Sequence, residues 1–475
     1  MAGGAWALRE QSIKMQHSSV PKKRKEYVYH RHGLGTLRKD KEYDTDGMCE
    51  ISQIDTSDYP FVKSAGTAQY LWLKYSGTVL DLIMCDGIIY AAVYSEGAIY
   101  MYVCDPGKGT IVQTYICDTS DNDPSHYALI RYNDFPSLMN PLTGGYSKRI
   151  LLLPLFYSYD IEDNRAEKLS SDAVPTSTMG TMFTSRLFSA CKGNIFASEF
   201  NKVNSYRFDT ADDSSSANAW MSTTQSNVKA DGDITALAVY DGHVVLFKRD
   251  YMMQVYNNEN PFRLVEIGSW GCISKKAVCE FDGKLAFISP QGLMLYSGGY
   301  PYFIGEELNV KDWSGSMLCA GGKYLYVYVA SEKCVYVYDA EHNAWGHRDT
   351  KPLSFMCADH NGAYYVRNND IIRFGGNAPK EFRLTTDRSS LGYNGRKRVS
   401  SLGFTAILGE GAELYVDLID DGGTVYETVS VIGAGEHMVS EKIRGVSLTY
   451  AQLTFRGKGE VKIGEYRIKF RKEDE

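Results

Sequence analysis

A fourfold repeat with a period near 40 residues constrains the fold of this chain more than any other sequence feature. Each copy opens on a turn-forming pair, followed by two short runs rich in β-branched and aromatic residues. The second glycines are 41, 39 and 40 positions apart in the pairs Asp241-Gly242, Asp282-Gly283, Gly321-Gly322 and Asn361-Gly362. A turn-strand-turn-strand unit of this length is typical of a β-propeller blade, whereas solenoids favour helices or shorter periods.

The same pattern occurs before the regular repeats. Asp86-Gly87 opens a strand run that reaches Val93, and Lys192-Gly193 separates two further runs. Residues 118–181 are less regular, and we interpret them as a blade with long loops. Counting all sectors gives six or seven blades, and closure of the propeller requires that the first and last strands meet.

The two ends of the chain differ from the repeats. Residues 1–58 show little periodic apolar pattern, which predicts an irregular N-terminal arm. Residues 59–380 contain the predicted propeller. Residues 381–475 contain closely spaced strand runs without the 40-residue unit, which favours a small β-sandwich. The predicted fold is therefore all-β: a β-propeller of six or seven blades with a C-terminal β-sandwich and an irregular N-terminal arm.

Charge and composition narrow the function classes. The formal net charge is -7, so the chain has no global basic field with which to hold nucleic acid. Its 35 Tyr suit strands whose outer faces meet a partner, because tyrosine combines an apolar ring with a polar tip. The ten Cys form no C-x-x-C pair, so we expect buried thiols in a reducing compartment, with a disulfide framework or a zinc site as alternatives.

We expect no membrane partner. The longest apolar stretch, residues 150–157, is interrupted by Pro154 and is too short to span a bilayer. Residues 1–10 lack the charged start and apolar run of a secretory signal. Synthesis in the cytoplasm is the resulting expectation.

Residues able to catalyse a reaction or bind a metal do not form a recognisable set. The closest histidine pairs, His30/His32 and His342/His347, have no neighbouring set of further ligands in the sequence. Two groups of aspartates lack the full pattern of a calcium-binding loop, although either group could still bind a calcium ion. The first group is Asp118, Asp121 and Asp123, and the second is Asp417, Asp420 and Asp421. Neither a nucleophile elbow nor a complete phosphate-binding glycine loop occurs. We predict no catalytic residue, no cofactor and no metal.

Several stretches resemble a known protein family. One is a paired strand that ends in Ala-Ser at residues 186–198, and the blade after it, at residues 233–248, is another. A Gly-Ser-Trp-Gly segment at residues 268–271 and a later blade at residues 291–301 continue the resemblance. These stretches resemble virion β-propeller proteins of tailed phages and prophages, of the tail hub, nozzle or DNA-stabilisation type. Asp58-Tyr59-Pro60-Phe61 is also similar, although Lys63-Ser64-Ala65 stands where that family usually has an Arg pair.

The resemblance implies a structural virion protein that is not an enzyme. Copies of the chain would form a ring in the tail hub, nozzle or head-to-tail conduit, where DNA is retained and then ejected. The implied partners are copies of itself, other tail or portal/adaptor proteins, and double-stranded DNA that passes without sequence-specific binding. The implied location is the virion tail.

The N-terminal arm carries the candidate interaction residues. A solvated face is one explanation of its basic run, and contact with phosphate or an acidic partner is the other. The candidate residues are Lys22, Lys23, Arg24, Lys25, Tyr27, Tyr29 and Arg31. We predict that this arm and the loops 118–132 and 209–229 join neighbouring subunits.

Two alternatives belong to other function classes. A kelch-like interaction propeller is matched once, by Gly321-Gly322, the run 336–339 and Trp345. A glycan-acting propeller enzyme is the second alternative, because a propeller can bring distant carboxylates together in its central channel.

Overall fold

The computed structural model describes residues 27–31, 48–58, 61–66, 69–74, 76–134, 147–170, 174–207, 218–224, 232–375 and 381–473. Five short strands come first: β1 (Tyr27–Arg31), β2 (Met48–Ser52), β3 (Ile54–Asp55), β4 (Val62–Ser64) and β5 (Gln69–Lys74). In the part of the chain that is described, no helix has the length and apolar character needed to cross a membrane.

Antiparallel strands then follow in groups that we call blades 1 to 7. Blades 1 and 2 contain β6 (Thr78–Cys85), β7 (Ile88–Ser95), β8 (Ala98–Asp105), β9 (Thr110–Asp118), β10 (Ala128–Asp134), β11 (Ser147–Leu153), β12 (Tyr157–Asp160) and β13 (Arg165–Lys168). Blades 3 and 4 contain β14 (Met179–Phe183), β15 (Arg186–Cys191), β16 (Asn194–Ala197), β17 (Trp220–Thr223), β18 (Ile234–Tyr240), β19 (His243–Lys248), β20 (Met252–Tyr256) and β21 (Arg263–Gly268).

The remaining blades come from the regular repeats. Blade 5 contains β22 (Val278–Phe281), β23 (Lys284–Ser289), β24 (Gly292–Tyr296) and β25 (Tyr302–Phe303). Blade 6 contains β26 (Met317–Gly321), β27 (Tyr324–Val329), β28 (Cys334–Asp339) and β29 (Ala344–Asp349). Blade 7 begins with β30 (Phe355–Asp359), β31 (Gly362–Arg367) and β32 (Asp370–Arg373). Two 3-10 turns, Pro124–His126 and Glu306–Leu308, lie between blades.

The blades are arranged around a common axis. Their first strands contact one another in a closed cycle, from β6 through β10, β14, β18, β22 and β26 to β30 and back to β6. The apolar core follows the same cycle, because its clusters lie between neighbouring blades. One cluster joins Ile89 of blade 1 to Phe355 and Ile371 of blade 7. The prediction of an all-β propeller is confirmed.

The Asp-Gly pairs of the repeat are the turns between the first and second strands of their blades. At Asp241 and Gly242 both φ angles are positive, 47° and 70°. Two consecutive positive φ angles give a two-residue turn whose twist matches that of the flanking strands. Aspartate and glycine tolerate this backbone better than other residues, which explains why the pair marks the repeat.

The propeller is closed by a strand from the beginning of the chain. β5 pairs antiparallel with β32, placing Tyr70 opposite Ile372, and so supplies the fourth strand of blade 7. The ring of blades therefore has its seam inside blade 7. Residues near the two ends of the propeller sequence hydrogen bond to each other across that seam.

The last seven strands form a sandwich: β33 (Phe382–Thr386), β34 (Lys397–Leu408), β35 (Glu413–Ile419), β36 (Val425–Ile432), β37 (Gly435–Leu448), β38 (Gln452–Lys458) and β39 (Val461–Lys472). One sheet has the order β2-β33-β38-β35-β36, and the facing one contains β4-β39-β34-β37 with β1 beside β39. Both sheets contribute to one apolar cluster that includes Leu384, Phe404 and Phe455.

The prediction of an irregular arm over residues 1–58 is corrected at two stretches. β1 pairs with β39, and β2 pairs with β33 in the sandwich. Ile54 of β3 lies opposite His347 of blade 6, and Ile54 and Val62 belong to the sandwich core. These strands are too short to show a period, and their partners are remote in sequence. The sandwich therefore extends beyond 381–475, while residues 1–26 and 32–47 lie outside the described residues.

The cysteines behave as small apolar side chains. Nine of the ten have side chains that the structure describes; all nine are free thiols, and seven are buried: Cys85, Cys104, Cys117, Cys272, Cys319, Cys334 and Cys357. Burial raises the pKa of several of these thiols, among them Cys104, whose pKa is about 12. A buried protonated thiol is a poor nucleophile, so these residues contribute packing.

Candidate functional site at the mouth of the central channel

The first strands of all seven blades begin at the same face of the propeller, where they surround a cavity of about 240 Å³. Its walls come from these strands and from the connection between blades 4 and 5. Most of the side chains that line it are apolar, although polar atoms supply the larger part of its exposed surface, and the ionisable side chains in it are Asp81, Lys275 and Lys276. A cavity that combines apolar side chains with a few convergent polar groups is the usual form of a binding site.

The connection that carries the two lysines is fixed by backbone hydrogen bonds. Ile273 N–H donates to Ile288 O at 2.9 Å, and Ile288 N–H donates to Ala277 O at the same distance. Leu318 N–H donates to Lys276 O at 2.8 Å, which ties the connection to blade 6. The lysine side chains are therefore held on rigid backbone at the rim of the channel.

Lys275 crosses the channel mouth. Its Nζ donates to Ser125 O at 3.1 Å and to Thr178 O at 3.0 Å, and it also donates to Tyr127 O. An ammonium group has three N–H donors, so these three carbonyls use its full capacity. Burial lowers the pKa of Lys275, opposed by the charges of Asp81 and Asp123. This residue links the connections that follow blades 1, 2 and 4.

Lys276 has an incomplete set of partners. Its Nζ lies 3.4 Å from the centroid of the Phe355 ring and donates to Ser354 O at 3.4 Å, a long hydrogen bond. Burial lowers the pKa of Lys276 to about 8, with Asp81 acting in the opposite direction and Lys275 adding to the decrease. At neutral pH the group is mainly an ammonium.

Asp81 lies on β6 and accepts a hydrogen bond from Leu129 N–H at 2.7 Å. Burial raises the pKa of Asp81, and this effect exceeds the opposing effects of the hydrogen bond and both lysines. Across the described residues, no ion pair of 4.0 Å or less joins Asp81 to either lysine. The carboxylate and the Lys276 ammonium thus share one cavity without neutralising each other directly.

The predicted interaction residues lie elsewhere. Lys22, Lys23, Arg24 and Lys25 fall outside the described residues. The backbones of Tyr27, Tyr29 and Arg31 lie in β1, opposite Phe470, Ile468 and Tyr466 of the sandwich. The end of the loop 118–132 forms β10, and two of its carbonyls, Ser125 O and Tyr127 O, bind Lys275; its role in joining subunits stays a prediction. Most of the loop 209–229 lies outside the described residues.

The aspartates considered as calcium ligands form hydrogen bonds or ion pairs within the protein. Asp121 accepts from Asp123 N–H and lies 2.8 Å from His126 Nδ1, while Asp123 caps the 3-10 turn. Asp417 is paired with Arg456, with 2.7 Å between Oδ2 and Nε. Asp420 and Asp421 accept backbone N–H groups of the hairpin turn and of residues 449 and 450.

A further group of possible metal ligands contains Asp339, Glu341 and His342. Lys323 Nζ lies within this group, 2.5 Å from Glu341 Oε2 and 3.7 Å from Asp339 Oδ2. The ammonium supplies the positive charge that these carboxylates need. His347 lies in a different contact, accepting from Gln53 N–H at 3.3 Å.

An exposed apolar edge is the second feature with functional potential. β36 and β37 are the edge strands of the two facing sandwich sheets, and residues 433–434 connect one sheet to the other between them. Ile432 and Met438 near this connection are 68% and 75% exposed. Tyr426 OH donates to Arg444 O at 3.0 Å and holds the two strands together. Exposed edge strands with apolar side chains are common sites of association.

Sequence reasoning did not find the channel site. Asp81 is an acidic residue inside an apolar strand run, and a charge in such a run is the one available signal, since burial of a charge is costly. Lys275 and Lys276 stand in a polar connection without a distinctive pattern. Only the closed cycle of blades brings the three side chains together.

No protein-family model matches this chain, and no curated protein matches it. Similar solved structures, each 10% identical, include a chain of the mitotic checkpoint complex, with a TM-score of 0.38 over 66% of this chain and 94% of that one. The extracellular domain of a putative one component system from B. thetaiotaomicron has a TM-score of 0.44 over 92% of this chain and 67% of that one. The WD40 domain from Toxoplasma gondii coronin has a TM-score of 0.40 over 71% of this chain and 87% of that one. These likenesses carry no argument about function, and the β-propeller assignment follows from the strand pairing of the chain itself.

Proposed function

We propose that this chain is a structural component of a tailed-phage virion, in which several copies form a ring at the tail that retains and then releases DNA. It acts through its shape and contacts and not through a reaction. The resemblance of its blades to phage virion propellers supports this proposal. The observation that carries it is the pair of edge strands β36 and β37, which have no further strand partner among the described residues and expose Ile432 and Met438.

A ring component has to transmit force between its parts, and the connection between propeller and sandwich suits that task. One hydrogen-bonded sheet runs from blade 6 through β3 and β4 into β39 of the sandwich. Arg348 reinforces it by donating to Ile54 O and to Asp55 Oδ2, both at 2.9 Å. Lys462 and Asp58 add an ion pair of 2.7 Å. A continuous sheet resists bending more than a flexible linker does.

The path of DNA in such a ring would lie between copies of the chain. The channel of a single propeller is narrow, and Lys275 spans its mouth. The net charge of -7 favours passage of DNA over tight binding. The edge strands β36 and β37 offer the joint between copies, because each has a backbone edge without a partner among the described residues, beside exposed apolar side chains.

Mass photometry of the purified chain over a concentration series tests the proposal. We expect closed oligomers for the native chain and for Met221→Glu, a control substitution at an exposed position (55%) on blade 3. Met438→Glu and Ile432→Glu should shift the population to monomers, because a charge on the edge opposes association. Monomers of the native chain at all concentrations would contradict the ring and favour an interaction propeller of the kelch type. Loss of oligomers only in Met221→Glu would place the joint on the propeller.

A further inference from the structure

We infer that the cavity at the channel mouth binds a small organic monoanion, a carboxylate with an apolar body, whose carboxylate contacts Lys276. This site is independent of the ring, since it lies in the propeller and the proposed joint lies in the sandwich. The inference rests on the charges, the unused hydrogen-bonding capacity and the walls of the cavity.

The charge of the cavity favours an anion. With all three side chains ionised, Lys275 and Lys276 outweigh Asp81 by one positive charge. Lys275 already donates to three carbonyls, which leaves Lys276 as the cation able to meet a ligand. A carboxylate is the group that would neutralise this ammonium with charge-assisted hydrogen bonds.

Lys276 has donors to spare. Of its three N–H groups, one points to Ser354 O, and no other hydrogen-bond acceptor for Nζ occurs among the residues described. The Phe355 ring covers one side of the ammonium. The side chain is half-buried and lines the cavity, so a ligand in the cavity can reach the remaining donors.

Asp81 limits the charge that the ligand can carry. Its carboxyl group lies in the same cavity, and a second negative charge on the ligand would face it at low local dielectric. A dianion such as phosphate is therefore disfavoured. A ligand with one negative charge avoids this repulsion if its uncharged end faces away from Lys276.

The walls suit an apolar body. Leu237, Met179, Met317 and Met356 line the cavity, and methionine side chains adapt to ligands of different shape. The volume of about 240 Å³ is just below the lower limit of roughly 300 Å³ for pockets that hold drug-sized molecules. A carboxylate with a short hydrocarbon chain matches the size of the cavity and can place its chain against these apolar side chains.

Isothermal titration calorimetry of the full chain with hexanoate at pH 7 tests the inference, with hexanamide and inorganic phosphate as comparison probes. We expect hexanoate to bind, and Lys276→Gln to weaken it by about tenfold or more, because a hydrogen bond to a charged group is lost. Lys311→Gln changes an exposed lysine outside the cavity and should leave the affinity unchanged. Hexanamide should bind about tenfold more weakly than hexanoate.

A pH series on the native chain gives a second, variant-free test. The charged groups that face Lys276 are Lys275 on the same segment and Asp81 on β6. Hexanoate affinity should fall as the pH rises above about 8, where Lys276 loses its proton. The inference would be overturned if hexanoate did not bind at pH 7, or if Lys276→Gln bound hexanoate as tightly as the native chain does. It would also be overturned if hexanamide or phosphate bound as tightly as hexanoate, or if the affinity for hexanoate did not change with pH.

Discussion

The sandwich and the propeller hub use buried charges in opposite ways. In the sandwich, Asp417 accepts from Arg456 and Thr428, and Lys397 donates to Thr449 O, so each charge has protein partners. At the hub, Asp81 and Lys276 share a cavity without a direct ion pair. The charges of the sandwich therefore stabilise the structure, whereas the hub keeps a charge that a ligand can contact.

The apolar cores differ in the same direction. The sandwich has one continuous cluster that includes residues of both sheets and of β3 and β4. The propeller core is divided among clusters between neighbouring blades, and the backbone seam of its ring is the pairing of β5 with β32. Both seam strands continue into sandwich strands, since β4 precedes β5 and β33 follows β32. The sandwich therefore holds the two ends of the propeller together.

The largest expected effect tests whether the sandwich stabilises the seam. Phe455→Ala should lower the free energy of unfolding by about 3–5 kcal/mol, because a fully buried ring is lost from the single sandwich core. Hydrogen exchange should then speed up in β5 and β32 as well as in the sandwich. Phe287→Ala in blade 5, which is equally buried, is the matched control and should leave the seam protected. Unchanged exchange at the seam in Phe455→Ala would break the link between the two regions.

The next effect concerns the lysine that crosses the hub. Lys275→Met keeps most of the side-chain volume but leaves three carbonyls without their donor, so the free energy of unfolding should fall by about 3 kcal/mol. Urea denaturation measures the change. Lys311→Met, at an exposed site, should stay within about 0.5 kcal/mol of the native chain. If Lys275→Met lowered the free energy of unfolding as little as Lys311→Met does, the stability of the hub would not depend on Lys275.

A smaller effect is expected at the paired charge of the sandwich. Arg456→Met leaves the buried Asp417 with Thr428 as a partner and should cost about 1–2 kcal/mol. Lys458→Met removes an exposed partner of Glu413 and should cost less than about 0.5 kcal/mol. Equal losses in the two variants would mean that burial of Asp417 adds nothing to the energy of its pair.

A pH dependence also sets the hub apart. The pKa of Lys276 is about 8 in the folded chain and near 10.5 when unperturbed, so the unfolded chain binds more protons between these values. The contribution of Lys276 to stability is therefore fully present above about pH 10.5 and is lost as the pH falls through 8. The difference in unfolding free energy between the native chain and Lys276→Gln should rise from pH 8 to pH 10. A flat difference would contradict burial as the cause of the shift.

Local features of the sequence predicted the blades well, because their turns are encoded by adjacent residues. Asp282-Gly283, for example, adopts positive φ at both positions, as the hairpin requires. The seam and the N-terminal strands were not predictable in this way, since β5 finds its partner at the far end of the propeller. The channel site was missed for the same reason: Asp81 and Lys276 meet only after the ring has closed.

Electron microscopy of the purified full chain tests the central claim of a ring-forming structural protein most directly. The proposal predicts class averages of closed rings in which each copy contacts the next through the sandwich edge strands β36 and β37. The claim would be contradicted by class averages that show only separate propellers and that are the same for the native chain and for Met438→Glu.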